Sequence, residues 1–280
     1  MGEMLETFGL RRGAETLLRD LIHERTGMYF DDAKLGLMSE KIAPLIVERG
    51  FNSFLDYYYL LKFDADAADE WIRVHNNLSV QETYFWREMD QIHALAEHVL
   101  PHLVSEKKIS PIRIWSSACA TGEEPLSIAM RLNEEGWFDR ADIQISASDL
   151  SSTALDRARR GVYRDRSFRS LPDYLKEKYF EQEGKEWRIC RSIHQRVTWR
   201  QINLLDETEV APLAGASVIF CRNVFIYFSS ETIGKVVETF ADNMRVPAYL
   251  FAGASESLLK VSDDFELEEV GDCFVYVKHS

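Results

Sequence analysis

The stretch from Ile112 to Arg131, IRIWSSACATGEEPLSIAMR, constrains this chain more than any other. It opens on a short apolar run, Ile112-Arg113-Ile114-Trp115, of the length and character of a buried strand. Small residues follow from Ser116 to Gly122, then two carboxylates, Glu123 and Glu124, and then Pro125. Proline suits the first position of a helix, where its missing N–H costs nothing. Leu126, Ile128, Ala129 and Leu132 carry a helical pattern on towards Gly136. Strand, small-residue loop and helix in this order place backbone N–H groups and a helix start beside a small ligand.

The loop holds a single glycine, and the G-x-G-x-x-G pattern of dinucleotide sites is absent. Two carboxylates at a helix start repel a pyrophosphate. They suit a ligand with hydroxyls or positive charge, of which the sulfonium nucleoside S-adenosylmethionine is an example. The stretch also reads as an ordinary strand–helix turn of an α/β domain, and local sequence leaves both readings open.

Bulk composition narrows the classes further. The 280 residues carry 33 Lys and Arg against 46 Asp and Glu, a formal charge of −13, which argues against binding nucleic acid or an anionic membrane surface. A hydrophobic share of 46% with 28% charged residues fits a soluble globular chain. No apolar run approaches the roughly 18 residues of a membrane span. Cys119, Cys190, Cys221 and Cys273 form no C-x-x-C pair, so neither zinc nor a disulfide framework is expected and a reducing cytoplasm fits. His93, His98 and His102 lie close in sequence, but no Asp or Cys completes a ligand set and Pro101 is expected to interrupt their helix. They read as structural, and no metal is expected.

Residues 1–90 read as a helical domain and linker. Leu17, Leu18, Leu21 and Ile22 repeat at helical spacing up to Thr26-Gly27, Lys34–Glu48 and Ala67–Asn77 follow the same pattern, and Ser53 is placed to cap a helix over 54–61. The linker 78–88 is rich in aromatics. It reads either as an anchor for packing or as a ligand wall on which Thr83 and Arg87 face the site, Arg87 matching a carboxylate. Residues 91–280 read as an α/β domain. Ile143–Ser148 forms a second strand ending at Asp149, which either holds ribose hydroxyls or, like Ser151, caps the next helix.

Residues 157–200 form a basic region with 13 Lys and Arg against 6 Asp and Glu. It reads as a solvated surface or as a docking patch for an acidic partner. Within it, 187–190 and 196–200 look like paired strands, giving a small antiparallel insertion at about 180–201. Asn203-Leu204 follows. Ser217–Cys221 reads as a buried parallel strand, with Arg222-Asn223 at its C-terminal end, where open α/β sheets bind ligands. A strand at 248–252 and a hairpin from 265–270 to 273–278 complete the domain.

Four stretches in order now carry a resemblance: Gln81–Glu88 (QETYFWRE), ACATGEEPLSIA, Phe220–Phe228 (FCRNVFIYF) and Gly253–Leu258 (GASESL). Together they resemble the bacterial chemoreceptor glutamate methyltransferases, the CheR family. The resemblance implies a Rossmann-like S-adenosylmethionine methyltransferase domain: a mostly parallel sheet with a final antiparallel strand, a helical domain before it and a small β-subdomain inserted. It implies cofactor contacts from Gln81, Thr83, Arg87, Gly122, Glu123, Asp149, Asn203, Leu204, Arg222 and Asn223. Tyr227 is similar to the family's tyrosine beside the transferred methyl, and with Arg87 it completes the expected catalytic pair. Gln81 stands where the family usually has Asn, Trp86 for a frequent Phe and Ala254 for a frequent His. The expected reaction forms glutamyl methyl esters on the cytoplasmic helical domain of a chemoreceptor, leaving S-adenosylhomocysteine. A signalling module that binds S-adenosylmethionine or S-adenosylhomocysteine without turnover is the alternative.

Overall fold

The computed structural model describes residues 12–65 and 67–280, and the chain divides into two compact units. The first runs to Val80 and also takes in Tyr227–Thr232. Its helices are α1 (Arg12–Thr26), α2 (Leu35–Glu48), α3 (Phe54–Phe63) and α4 (Ala67–Leu78). Leu18 and Ile22 on α1 and Met38, Ile42 and Ile46 on α2 recur four apart, so each helix lays one apolar stripe into a shared core with Phe54, Tyr57 and Val74. The Ser53 cap forms as expected, Oγ accepting the Asp56 N–H at 3.1 Å.

The returning segment is stitched to the end of α1. Tyr29 N–H donates to the Tyr227 carbonyl at 2.7 Å, and His23 lies within hydrogen-bond reach of Ser229 and Thr232. Gly27, at φ +77°, is required there because a Cβ would come within 2.9 Å of the Phe228 ring.

This unit carries an acid-sensitive core. The Glu70 side chain is fully buried, accepts from Tyr57 at 2.5 Å and Arg49 at 2.6 Å, and pairs with Arg73 at 3.2 Å. Burial works to raise its pKa, but the hydrogen bonds from Tyr57 and Arg49 win and the net shift is downward. His75 is also buried, its Nδ1 has no partner among the described residues, and burial alone lowers its pKa from 6.5 to about 4. The unfolded chain therefore takes up the His75 proton first. Stability is whole above pH 6.5 and is lost as pH falls towards 4, by about 3 kcal/mol. Glu70 adds a further loss at lower pH, below its unfolded value of 4.5. Urea midpoints taken across this range are expected to fall with acidity in the wild type, and His75→Leu is expected to flatten the upper part of that slope.

The second unit is built on ten strands in two sheets. They are β1 (Ile112–Ser116), β2 (Ile143–Asp149), β3 (Val162–Tyr163), β4 (Phe180–Glu183), β5 (Glu186–Ile189), β6 (Val197–Gln201), β7 (Val218–Cys221), β8 (Ala248–Ala252), β9 (Glu266–Val270) and β10 (Cys273–Lys278). The main sheet has the order β6-β2-β1-β7-β8-β10-β9. Its first five strands run parallel, and β10 and β9 close the far edge antiparallel, as the resemblance implied. Residues of β7 and β8 are buried throughout, the pattern of central parallel strands. Phe220 and Phe251 on these strands are fully buried, as is Trp115 on β1.

Three local expectations are corrected. The segments 187–190 and 196–200 are not partners: β5 pairs with β4 and β3 in a small antiparallel sheet, whereas β6 runs parallel to β2 at the edge of the main sheet. A short helix, Arg191–His194, lies between β5 and β6 and buries Ile193, turning a pattern that looks like a hairpin into a crossover. Pro101 does not stop its helix, which runs from Met89 to Glu106 through two π-helical segments on either side of the proline. Pro125 is the third residue of its helix, not the first, because the helix begins at Glu123 with Gly122 as cap. Among the described residues no helix is long and apolar enough to cross a membrane.

Candidate active site

The parallel strands β1, β2, β7 and β8 end on one edge, and their following loops build a site there. After β1, Ser117 N–H donates to the Phe220 carbonyl and Cys119 N–H to that of Ser148, both at 2.8 Å, so the small-residue loop is tied to β7 and β2. It then turns through two left-handed residues, Ala120 at φ +46° and Gly122 at φ +93°. A Cβ on Gly122 would lie 2.8 Å from the Trp199 ring and 2.9 Å from Ala158, so only glycine fits.

Asp149 ends β2 against this loop. One carboxylate oxygen accepts the Ala120 N–H at 2.9 Å and the other the Ser151 N–H at 2.8 Å. Burial raises its pKa, and these backbone donors oppose the shift. The helix cap is Ser151, whose Oγ accepts from Ala154 N–H and from Gln81 Nε2 at 2.9 Å. Asp149 is thus free of capping duty, and each of its oxygens keeps lone-pair capacity for a hydroxyl donor. Asn203 and Leu204 lie just past β6, which is in register with Asp149. The Leu204 side chain is buried, and Asn203 Oδ1 accepts the Leu205 N–H at 3.1 Å.

The other half of the site centres on Arg222, whose side chain is 1% exposed. Nη2 donates to the Arg87 carbonyl at 3.0 Å and pairs with Glu88 at 3.2 Å, and Nη1 stands 3.4 Å from Glu124. Among the described residues Nε and Nη1 have no hydrogen-bond acceptor, Nη1 facing Glu124 only as an ion pair. Glu124 accepts from Ser116 Oγ at 2.7 Å; burial raises its pKa and Arg222 pulls it back. Asn223, left-handed at φ +57°, donates its N–H to Glu256 at 2.8 Å. The same Glu256 carboxylate accepts the Gly253 N–H at 2.7 Å and the Ile226 N–H at 3.2 Å, fastening the loop after β7 to the loop after β8. Among the described residues, five non-glycine positions have positive φ, and four of them (Trp86, Glu88, Ala120 and Asn223) lie in these segments. Backbone strain concentrated in this way is typical of a site held by its surroundings.

The expected site residues do not all meet. Gln81, Gly122 and Asp149 come together at one end, and Arg87, Arg222 and Asn223 at the other. Arg87 is half-buried and donates to the Glu82 carbonyl at 2.9 Å. Thr83 is half-buried in the same linker. Glu123 turns away from Arg222, its carboxylate accepting from Thr121 Oγ1 at 2.6 Å and Ser167 Oγ at 2.9 Å. Tyr227 belongs to the helical unit's returning segment. Sequence reasoning missed Glu88, Glu124 and Glu256. Each stood inside a quoted motif, but nothing local showed which carboxylate would face Arg222 or the backbone donors.

The residues fit a cofactor carrying ribose hydroxyls and an amino-acid moiety. Asp149 retains acceptor capacity, the buried Arg222 keeps two unused donors for a carboxylate, and Glu88 and Glu124 lie beside it for an ammonium.

Comparison with known proteins agrees. Residues 81–273 match the family described as CheR methyltransferase, SAM binding domain, and residues 16–79 match CheR methyltransferase, all-alpha domain. The chain is 35% identical to chemotaxis protein methyltransferase 2 of Vibrio cholerae over 93% of this chain and 91% of that protein. It is 31% identical to a chemotaxis protein methyltransferase of Borreliella burgdorferi, over 85% and 86% of the two chains. It is 29% identical to chemotaxis protein methyltransferase 1 of Pseudomonas aeruginosa, over 93% and 96%. The two matched segments meet where the two units divide, and the chain belongs to the CheR methyltransferase family of S-adenosylmethionine-dependent enzymes.

Proposed function

We propose that this chain transfers the methyl group of S-adenosylmethionine to glutamate side chains on the cytoplasmic helical domain of a chemoreceptor, working in the cytoplasm. The observation that carries the reading is Arg222: a buried guanidinium at the end of a central strand, between two carboxylates and with two donors unspent. The relatives' shared name, chemotaxis protein methyltransferase, supports the substrate class.

In this reading Asp149 takes the ribose hydroxyls, with Gln81 and Ser151 buttressing it. Arg222 and Arg87 take the cofactor carboxylate, and Glu124, Glu88 and Asn223 the ammonium. Gly122, Thr83, Asn203 and Leu204 form the walls, and Glu123 braces the loop from below. When bound, the cofactor supplies an electrophilic methyl on a sulfonium. A glutamate is already ionised at neutral pH, its reference pKa being about 4.3, so the chain needs no general base. Its task is to orient the acceptor carboxylate and shield it from water, and positioning of this kind can contribute on the order of 7–11 kcal/mol. Tyr227, four residues beyond Asn223, donates a hydrogen bond or shapes the wall and does not remove a proton.

The test is incubation of the purified chain with methyl-labelled S-adenosylmethionine and a receptor cytoplasmic fragment. Label released from the receptor by mild base is the expected result. Label that resists base, or that appears only on small molecules, would overturn the ester reading. In the same assay Tyr227→Phe is expected to lower kcat about tenfold at saturating cofactor, about 1.4 kcal/mol, the size of one hydrogen bond. Asp149→Asn is expected to act mainly on the KM for the cofactor.

A further inference from the structure

The basic region of the chain does not spread evenly over its surface. Four of its arginines, Arg157, Arg160, Arg164 and Arg166, line one cavity of about 500 Å³. Its base is the network of Tyr163, Thr121, Glu123 and Ser167, in which Tyr163 Oη donates to the Thr121 carbonyl at 3.0 Å and the two hydroxyls hold Glu123. Glu186 stands in the lining and, among the described residues, pairs with Arg164 alone, at 3.0 Å. Among the described residues Arg157, Arg160 and Arg166 form no ion pair at contact distance, and Arg166 acts on Glu123 only through its charge, although the chain carries 46 acidic residues.

Arg157 and Arg160 stand in the last turn of the helix Ser152–Arg160, where cations offset the helix dipole. That accounts for two of the four. Arg164 and Arg166 lie beyond Gly161, outside any such field, and are directed to the same space. Four guanidinium groups against the carboxylates of Glu123 and Glu186 leave the lining at +2, inside a protein of net charge −13. Guanidinium forks match phosphate and carboxylate oxygens. A space of this size holds a small molecule or one phosphoryl group, whereas a helix about 10–12 Å across does not enter it.

We propose that this cavity is a binding site for a small phosphate-bearing dianion, separate from the cofactor site. The two sites share the loop Thr121–Glu123, so occupancy of one is felt at the other. By linkage the effect is reciprocal: phosphate shifts cofactor affinity by the same factor that cofactor shifts phosphate affinity.

Calorimetry of the full chain with inorganic phosphate and with pyrophosphate, at about 50 and 200 mM salt, tests this. Saturable binding is expected in the presence of saturating S-adenosylhomocysteine. The exposed double variant Arg157→Ser/Arg166→Ser is expected to weaken it about tenfold or more, each removed charge-assisted contact being a strong one. Arg159→Ser is the control, since Arg159 pairs with Asp156 and does not line the cavity; it is expected to leave binding within twofold. Several results would overturn the proposal: no saturable binding of either anion, equal loss in the Arg159 variant, or displacement of the anion by S-adenosylhomocysteine. Tighter binding of a decaglutamate peptide than of pyrophosphate at matched salt would likewise overturn it, assigning the arginines to an acidic protein partner. None of these results bears on whether methyl transfer occurs, so this proposal and the proposed activity fail separately.

Discussion

Arg222→Met is expected to abolish cofactor binding, lowering kcat/KM by about a thousandfold or more, and to destabilise the sheet unit by about 3–5 kcal/mol. Methionine matches the stem of the side chain and removes its charge. Glu124, whose side chain is 17% exposed, then loses the cation 3.4 Å away, and Glu88 loses its partner at 3.2 Å. A buried carboxylate without a counter-charge is the costly case, because its desolvation is no longer offset. The pKa of Glu124, already raised by burial, rises further once Arg222 no longer opposes it. A carboxyl whose folded pKa exceeds its unfolded value favours the folded state while protonated, and that advantage is lost as pH rises. The stability gap between variant and wild type is therefore expected to narrow as the medium is made more acidic, read from denaturation midpoints near pH 8 and pH 5. Adding Glu124→Gln to Arg222→Met is expected to restore most of the stability and none of the activity. Equal activity loss without any change in the pH profile of stability would show that Arg222 is not compensating a buried charge.

The comparison between Glu123 and Glu124 shows where sequence stops being informative. Strand, loop and helix were legible there from apolar runs and small residues, and so were β2, β7, β8 and the closing hairpin, because each pattern is local. The two glutamates are neighbours at a helix start, separated by about 100° of rotation. Which of them faces Arg222 depends on how the helix sits over β1 and β7, and nothing in the local sequence encodes that angle. The placing of Arg222 and Asp149 at strand ends was legible because the end of a parallel strand identifies itself. The partner of β6 was not: apolar strands a few residues apart suggest a hairpin, and only the non-local register with β2 decides otherwise. The arginines of the basic region were visible as a count. Their convergence on one cavity depends on the turn past Gly161 and on β5, which bring Arg166 and Glu186 to the face that carries Arg157.

Glu256 was hidden for a different reason, since its partners are backbone N–H groups and any sequence supplies those. Glu256→Ala is expected to lower kcat/KM about 100- to 1000-fold, about 3–4 kcal/mol, which is the size of two or three hydrogen bonds to a charged acceptor. The carboxylate takes the N–H groups of Asn223, Ile226 and Gly253. Without it the left-handed turn at Asn223 keeps only the long contact of its side chain to Glu88, at 3.5 Å, and the segment carrying Arg222 and running on to Tyr227 is loosened. Glu256→Gln is expected to fall between wild type and alanine. Its amide keeps one acceptor oxygen, but its NH₂ faces an N–H donor where the second carboxylate oxygen stood. Gly253→Ala attacks the same joint sterically, because a Cβ there would lie 2.7 Å from both Asn223 Nδ2 and Glu256 Oε2. If all three act through one joint, Glu256→Ala and Gly253→Ala combined will cost clearly less than the sum of the separate losses. A merely structural role predicts a lowered melting temperature with unchanged cofactor KM. A positioning role predicts a raised cofactor KM while most of the stability remains, because the loosened turn lies at the sheet edge and not in the core that Phe220 and Phe251 share.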